Sequence, residues 1–263
     1  MRSPATAATA REPFAGVRAV LFDLDGVITR TATLHAAAWK RLFDEYLAEH
    51  ARRIGQPFAP FDLVHDYRRY VDGKPRYDGV ASFLVSRGLA IPWGSPADPP
   101  DRETVCGLGN RKDGYFEQAL RERGVETFPE AVSLVREARA HGLKTAVVSS
   151  SMNCAPILER AGILGLFDAR VDGVEAERLR LPGKPAPDTF LEAARRLRVP
   201  PGDAVVVEDA ISGVEAGKRG GFRVVGVDEE GDGDALREHG ADLVVSHLGE
   251  LAEQLHFRTK DGT

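Results

Sequence analysis

The sequence predicts an α/β fold: a parallel-sheet core with a mostly helical unit inserted after its first strand. Two observations carry this. Short apolar runs recur along the chain, each ending in acids or serines, with helix-like stretches between them. That alternation stops from Thr31 to about Gly124 and then resumes. At 263 residues, 43% of them hydrophobic, the chain is large enough to bury a core of this kind.

Residues 17–22 form an apolar run that stops at Asp23, as expected of a buried strand whose acids emerge at its carboxyl end. The design repeats: residues 144–148 end in Ser149-Ser150-Ser151, residues 204–207 in Glu208-Asp209, and residues 222–227 in Asp228. Between them, residues 130–141, 155–161, 187–197 and 213–219 read as helices, several stopped by a glycine. Inside the inserted interval, residues 35–49 carry Trp39, Leu42, Phe43, Tyr46 and Leu47 at helical spacing. Residues 67–84 and 110–123 read as further helices, and the proline-rich 91–100 as an exposed loop. The expected organisation is a flexible tail at 1–16, a core of 17–30 and 125–250, a helical cap at 31–124, and a tail at 251–263. The crossings near 29–33 and 123–128 would act as hinges.

Composition narrows the function. A net charge of −5 with no basic stripe argues against nucleic acid as a partner. No apolar stretch approaches the roughly 20 residues that span a bilayer, and residues 1–16 lack a secretory apolar run, so a cytoplasmic protein is expected. Cys106 and Cys154 read as structural thiols, and the seven histidines show no metal-ligand spacing.

The chemistry concentrates at the strand ends, where ligands of open parallel sheets sit. Asp23 and Asp25, followed by the Gly26 turn, offer a nucleophile and a metal site in one small volume. Asp25 is placed to move a proton to or from an acceptor oxygen. The same Asp-x-Asp-Gly pattern also fits a calcium loop or plain turn acids. Phosphoryl transfer needs charge compensation as well, and Thr29, or Ser149 with nearby amides, could hydrogen-bond the phosphoryl group. Lys184, followed by Pro185 and Pro187 on either side of Ala186 just before a helix, supplies a cation; its ordinary reading is a solvated lysine. Glu208 and Asp209 add hard oxygens suited to magnesium, unless they merely cap the next helix.

Asp23-x-Asp25-Gly26-Val27-x-Thr29, Ser149, Lys184 and Glu208-Asp209, in this order, resemble the four motifs of the haloacid-dehalogenase-like superfamily. The resemblance runs from Val17 to about Leu248 and implies a Rossmann-like core with a helical cap. It implies Asp23 as nucleophile, Asp25 as general acid/base, and Mg2+ held by Asp23, the Asp25 carbonyl, Glu208 and Asp209. Within the superfamily the chain looks like the β-phosphoglucomutase branch, which interconverts β-glucose 1-phosphate and glucose 6-phosphate through a glucose 1,6-bisphosphate intermediate that also primes the enzyme. Thr31, His35 and Trp39 resemble that branch's hinge and first cap helix. Gly73-Lys74-Pro75-Arg76 resembles the loop whose arginine grips the phosphate not being transferred. Arg111-Lys112-Asp113 resembles the element whose lysine meets the histidine, and Ser149, Ser151 and Asn153 the core loop that contacts phosphate and sugar.

Ordinary readings exist for each: Arg76 on a solvated loop, His35 and Lys112 at helix positions, Trp39 packed in the cap. Three departures from the branch's pattern stand out: Arg30, Met152 and a long loop at 91–104. The implied partner is a small sugar phosphate, with a monomer favoured and a disaccharide phosphorylase as the implied supplier. Two other readings compete. A sugar-phosphate phosphatase shares every core residue and differs in the cap; a non-catalytic protein of the same fold would be free to lose Asp23, Asp25 or Lys184, yet all are present.

Overall fold

The computed structural model describes residues 14–228, 231 and 233–254. Among the described residues, six parallel strands form one sheet in the order β3-β2-β1-β4-β5-β6. They are β1 Ala19–Phe22, β2 Lys144–Val148, β3 Ala169–Val171, β4 Ala204–Glu208, β5 Arg223–Val227 and β6 Leu243–Val245. The helices, in chain order, are α1 Ala32–Ile54, α2 Arg76–Ser86, α3 Val105–Arg123, α4 Pro129–Ala140, α5 Cys154–Arg160, α6 Gly173–Leu179, α7 Asp188–Leu197, α8 Ile211–Arg219, α9 Gly233–Glu238 and α10 Leu248–Gln254. Among the described residues no helix is long and apolar enough to cross a membrane.

Side-chain alternation along β1 divides the core into two layers. Val20 and Phe22 pack with α4 and α5 through Leu134, Val135, Ile157 and Leu158. Ala19 and Leu21 face the other way, toward Phe190 and Ala194 of α7 and Val214 of α8. This is the two-sided parallel sheet that the apolar runs predict. The three-residue strands β3 and β6 escape a sequence reading because each is too short for a recognisable run.

The expected tails are shorter at both ends. Phe14 is buried in the core and Arg223 donates to the Ala15 carbonyl, so order begins before residue 17. At the other end α10 runs past residue 250 because Leu251 is fully buried. Residues 1–13 and 255–263 lie outside the described residues.

Helices α1 to α3 pack on an apolar cluster of their own, built on Trp39, Phe43, Phe61 and Phe83. The Phe43 and Phe83 centroids are 4.1 Å apart and those of Phe43 and Phe61 5.1 Å. Truncating such a ring costs about 3–5 kcal/mol. The single helix expected at 67–84 is instead a π-helical turn at Tyr67–Val71 and then α2. Gly73, with φ +68°, and Pro75, which has no N–H, force the break between them. Helix α3 begins five residues before the expected 110, capped by the Thr104 hydroxyl accepting from the Gly107 amide at 3.0 Å, a contact worth about 1 kcal/mol. The loop before it leaves Trp93 half-exposed but buries Asp98, which accepts from Thr104 and Arg102.

The two crossings between core and cap run side by side. The Arg30 amide donates to Glu126 at 2.9 Å and the Phe128 amide to Ile28 at 3.0 Å, around an antiparallel bridge of Thr29 with Thr127.

Candidate active site

In β1, β2 and β4, Phe22 lies level with Val147 and Val207, so the strand ends deliver Asp23, Ser149 and Glu208 to one place. Asp23 is buried; its Oδ2 accepts the Asp25 amide at 2.9 Å and its Oδ1 accepts Lys184 Nζ at 2.5 Å. Lys184 also donates to Glu208 Oε1 at 2.5 Å and to the Val148 carbonyl at 3.3 Å. Burial by itself would strip the lysine of its proton, but Asp23 and Glu208 outweigh it and hold the ammonium charged. Lys184 is therefore the buried partner of the acids, and the solvated reading falls away.

Burial pushes Glu208 up to about 8. Burial, followed by repulsion from Asp72, Asp23 and Glu208, raises Asp209 well above the usual carboxylate range. Asp23, Glu208 and Asp209 present oxygens within 4.8 Å of one another. Three carboxylates against Lys184 leave the cluster short of positive charge, and the donors are all hard oxygens. These residues fit a divalent cation of the magnesium class.

The Asp25 side chain belongs to a second network. Its Oδ1 accepts Thr31 Oγ1 at 2.5 Å, with His35 Nε2 3.4 Å away, and its Oδ2 accepts Ser149 Oγ at 3.4 Å. Burial would raise its pKa, but His35, Thr31 and Lys112 outweigh burial and lower it. On the far side of His35, Lys112 Nζ sits 2.5 Å from Nδ1, and the imidazole stacks on Phe116 with centroids 3.8 Å apart. Burial, then Lys112, lowers the His35 pKa. A neutral ring that accepts at Nδ1 carries its proton on Nε2, facing Asp25. That Nε2 makes no hydrogen bond among the described residues, although Asp25 Oδ1 lies 3.4 Å away. Thr29, expected at the phosphoryl group, is fully buried instead: its hydroxyl donates to the Leu24 carbonyl at 3.1 Å and meets Thr31 Oγ1 at 2.6 Å.

A cavity of 340 Å³ between core and cap is lined by Asp23, Asp25, Ser151, His35, Lys112 and Arg76, among others. Trp39 and Gly73 also reach its wall, although Trp39 is chiefly a packing residue, 5.3 Å from Phe43 between centroids. Arg76 pairs through Nη1 with Asp113 and donates from Nη2 to Tyr77 at 3.1 Å, while its buried Nε has no acceptor among the described residues. Asn153, expected at phosphate and sugar, is not in the cavity wall and instead donates directly to the cap at Asp113 Oδ1, 3.1 Å away. Core Ser150 and Ser212 hold the loop before α2 by donating to the carbonyls of Gly73 at 2.6 Å and Asp72 at 2.8 Å. Asp113, Ser150 and Ser212 were not singled out from sequence, although Asp113 stands in the Arg111-Lys112-Asp113 triplet and Ser150 between two expected residues.

The model of the haloacid dehalogenase-like hydrolases matches residues 17–221. A β-phosphoglucomutase of Mycobacterium tuberculosis is 52% identical over 239 residues, which are 89% of this chain and 91% of that protein. The chain belongs to the β-phosphoglucomutase branch of this family. It is accordingly an enzyme, and the fold agrees: a crystal structure of β-phosphoglucomutase from Clostridium difficile matches with a TM-score of 0.69 at 25% identity, over 91% of this chain and 97% of that one. A phosphorylated carbohydrates phosphatase of Thermotoga maritima is 30% identical across 87% of this chain and 94% of its own length. Of the departures from the branch's pattern, Arg30 lies 4.1 Å over the Phe128 ring at the hinge, and Met152 lines the cavity. The long loop reaches the cavity wall through Pro96, whose carbonyl accepts from Asn110 at 3.0 Å.

Proposed function

We propose that the chain interconverts β-D-glucose 1-phosphate and glucose 6-phosphate through a phosphorylated Asp23 and a glucose 1,6-bisphosphate intermediate. The observation that carries this reading is that one cavity is lined both by the Asp23–Asp25 pair and by Arg76. A sugar with two phosphates needs an acceptor for one and a separate cation for the other, and a guanidinium takes phosphate bidentately in either orientation of the sugar.

Phospho-Asp23 gives its phosphoryl group to the 6-hydroxyl of β-glucose 1-phosphate while Asp25 takes the hydroxyl proton. The bisphosphate then turns round, and an Asp23 oxygen attacks the phosphorus at position 1. The bond from phosphorus to the sugar oxygen breaks, Asp25 returns its proton to that oxygen, and glucose 6-phosphate leaves. Lys184 and Ser149 stabilise the transferred group, and Lys112 and His35 keep Asp25 oriented. Magnesium, which Asp23, Glu208, Asp209 and the Asp25 carbonyl would hold, supplies charge neutralisation at the phosphoryl oxygens. Cap closure over the cavity excludes the water that would otherwise hydrolyse phospho-Asp23.

Identity to a phosphatase keeps one second reading in play, in which water takes the phosphoryl group. The two differ in product. With β-glucose 1-phosphate, magnesium and trace bisphosphate, glucose 6-phosphate is expected to form at least about tenfold faster than free phosphate. Phosphate release without isomerisation would overturn the mutase reading, and near-normal turnover by Asp23→Asn would overturn the covalent one.

A further inference from the structure

Asp113 is the one acid of the described cavity wall that pairs directly with Arg76, and its two oxygens serve different parts of the molecule. Oδ2 takes Arg76 Nη1 from α2, and Oδ1 takes Asn153 Nδ2 from the start of α5. A cap helix is thus tied to the core through a single carboxylate. Arg76 and Asp113 keep about a fifth of their side-chain surface exposed, 20% and 23%, so the pair is reachable by a ligand in the cavity that both line.

Two features argue against a permanent pair. An arginine neutralised by a fixed carboxylate attracts an anion poorly, and a phosphate arriving beside Asp113 would meet like charge at close range. Arg76 also keeps a buried Nε without an acceptor, so Asp113 and Tyr77 leave its donor set incomplete. A phosphate brings three acceptor oxygens and more charge than a carboxylate, and can satisfy both Nε and Nη1.

We infer that Asp113 is an internal stand-in for the second phosphate: it occupies Arg76 and bridges cap to core while the cavity holds no ligand, and yields the guanidinium to phosphate on binding. The inference rests on the reading above that Arg76 receives the phosphate not being transferred. It adds a source of selectivity. A phosphoryl donor whose only phosphate sits at Asp23 leaves the carboxylate in place, so the stand-in favours bisphosphates over simple esters as donors.

The test is calorimetric binding of glucose 1,6-bisphosphate to the full chain in magnesium buffer, in an Asp23→Asn background that prevents turnover. Asp113→Asn keeps the shape and the Asn153 contact but removes the charge; it is expected to lower Kd about three- to tenfold, as release of a competing ion pair would. Asp113→Ser, a second variant in case the amide perturbs folding, should shift Kd in the same direction. Arg76→Ala should raise Kd at least about tenfold, and adding Asp113→Asn to it should change nothing further. Weaker or unaltered binding by both Asp113 variants would overturn the stand-in and leave Arg76 in its role. The same gain without Arg76 would reduce the effect to general charge. Undiminished binding by Arg76→Ala would remove the reading of Arg76 and the inference with it.

Discussion

Lys112 is a cation held where a cation is disfavoured. Burial pushes its pKa down to about 8, while the faces of Trp39 and Phe116, 4.9 and 5.2 Å from Nζ, partly replace water. Below that value the ammonium donates to His35 Nδ1 and fixes the tautomer that faces Asp25; above it the neutral amine is a weaker donor and holds that tautomer less firmly. We expect kcat/KM to fall as pH rises through about 8, and Lys112→Gln to lose that alkaline limb while lowering the plateau about 10²-fold. An unchanged limb in the variant would assign it elsewhere. Glu208, pushed to a similar value by burial, is drawn out of this window when a bound cation favours its carboxylate. At this scale the sequence is uneven to read. Asp23, Lys184, Glu208 and Asp209 are visible because each ends an apolar run or sits between prolines. The role of Asp113 is not, because the pairing of Arg76 with a residue 37 positions away depends on how α2 packs on α3, which no local pattern encodes. Thr29 shows the converse: a residue type that suits phosphate is spent on the Leu24 carbonyl.

The segment between the π-helical turn and α2 is hydrogen-bonded to the core through Ser150 and Ser212, and the proposed cap closure would act on it. At Gly73 a Cβ would lie 2.3 Å from Ser212 Oγ and 2.9 Å from Ala210 Cβ, at a φ of +68° that disfavours side chains. Gly73→Ala therefore has to lift the loop from the core, at a cost of about 1–3 kcal/mol. We expect KM for the sugar phosphate to rise about tenfold, since about 1.4 kcal/mol is one decade, and phosphate release to grow relative to isomerisation. An unaltered KM with the same product ratio would show that the loop is not part of closure. Helical periodicity finds all three cap helices but runs straight through this break, because the apolar spacing continues from Tyr67 to Leu84 while Gly73 and Pro75 end the backbone hydrogen bonding.

Across the whole molecule, a cation bound by the cluster of Asp23, Glu208 and Asp209 would couple folding to ion binding. Magnesium at about a hundred times its Kd would add about 2.7 kcal/mol, or roughly 5–10 °C in Tm for a chain of this size. Asp209→Asn removes a carboxyl whose pKa is raised first by burial and then by repulsion from Asp72, Asp23 and Glu208, so without magnesium it is expected to melt above the parent, and with magnesium to gain little. Equal magnesium shifts in both proteins, followed by scanning calorimetry with and without chelator, would remove Asp209 from the ion's ligands. At this scale the sequence is most legible: strand and helix alternate and the interruption marks the insertion. The short edge strands and the buried Phe14 and Leu251 are set by tertiary packing, so a local pattern passes them over.

The paired crossings at Arg30–Glu126 and Ile28–Phe128 have a further consequence. Because the chain leaves the sheet and returns to it on adjacent rungs, its covalent connections to the insert form a narrow seam, whatever the length of polypeptide beyond it. Loop-closure entropy grows only slowly with that length. The entire inserted unit can therefore be exchanged, enlarged or trimmed without asking the sheet to refold, and an engineer cutting at the same seam inherits that freedom.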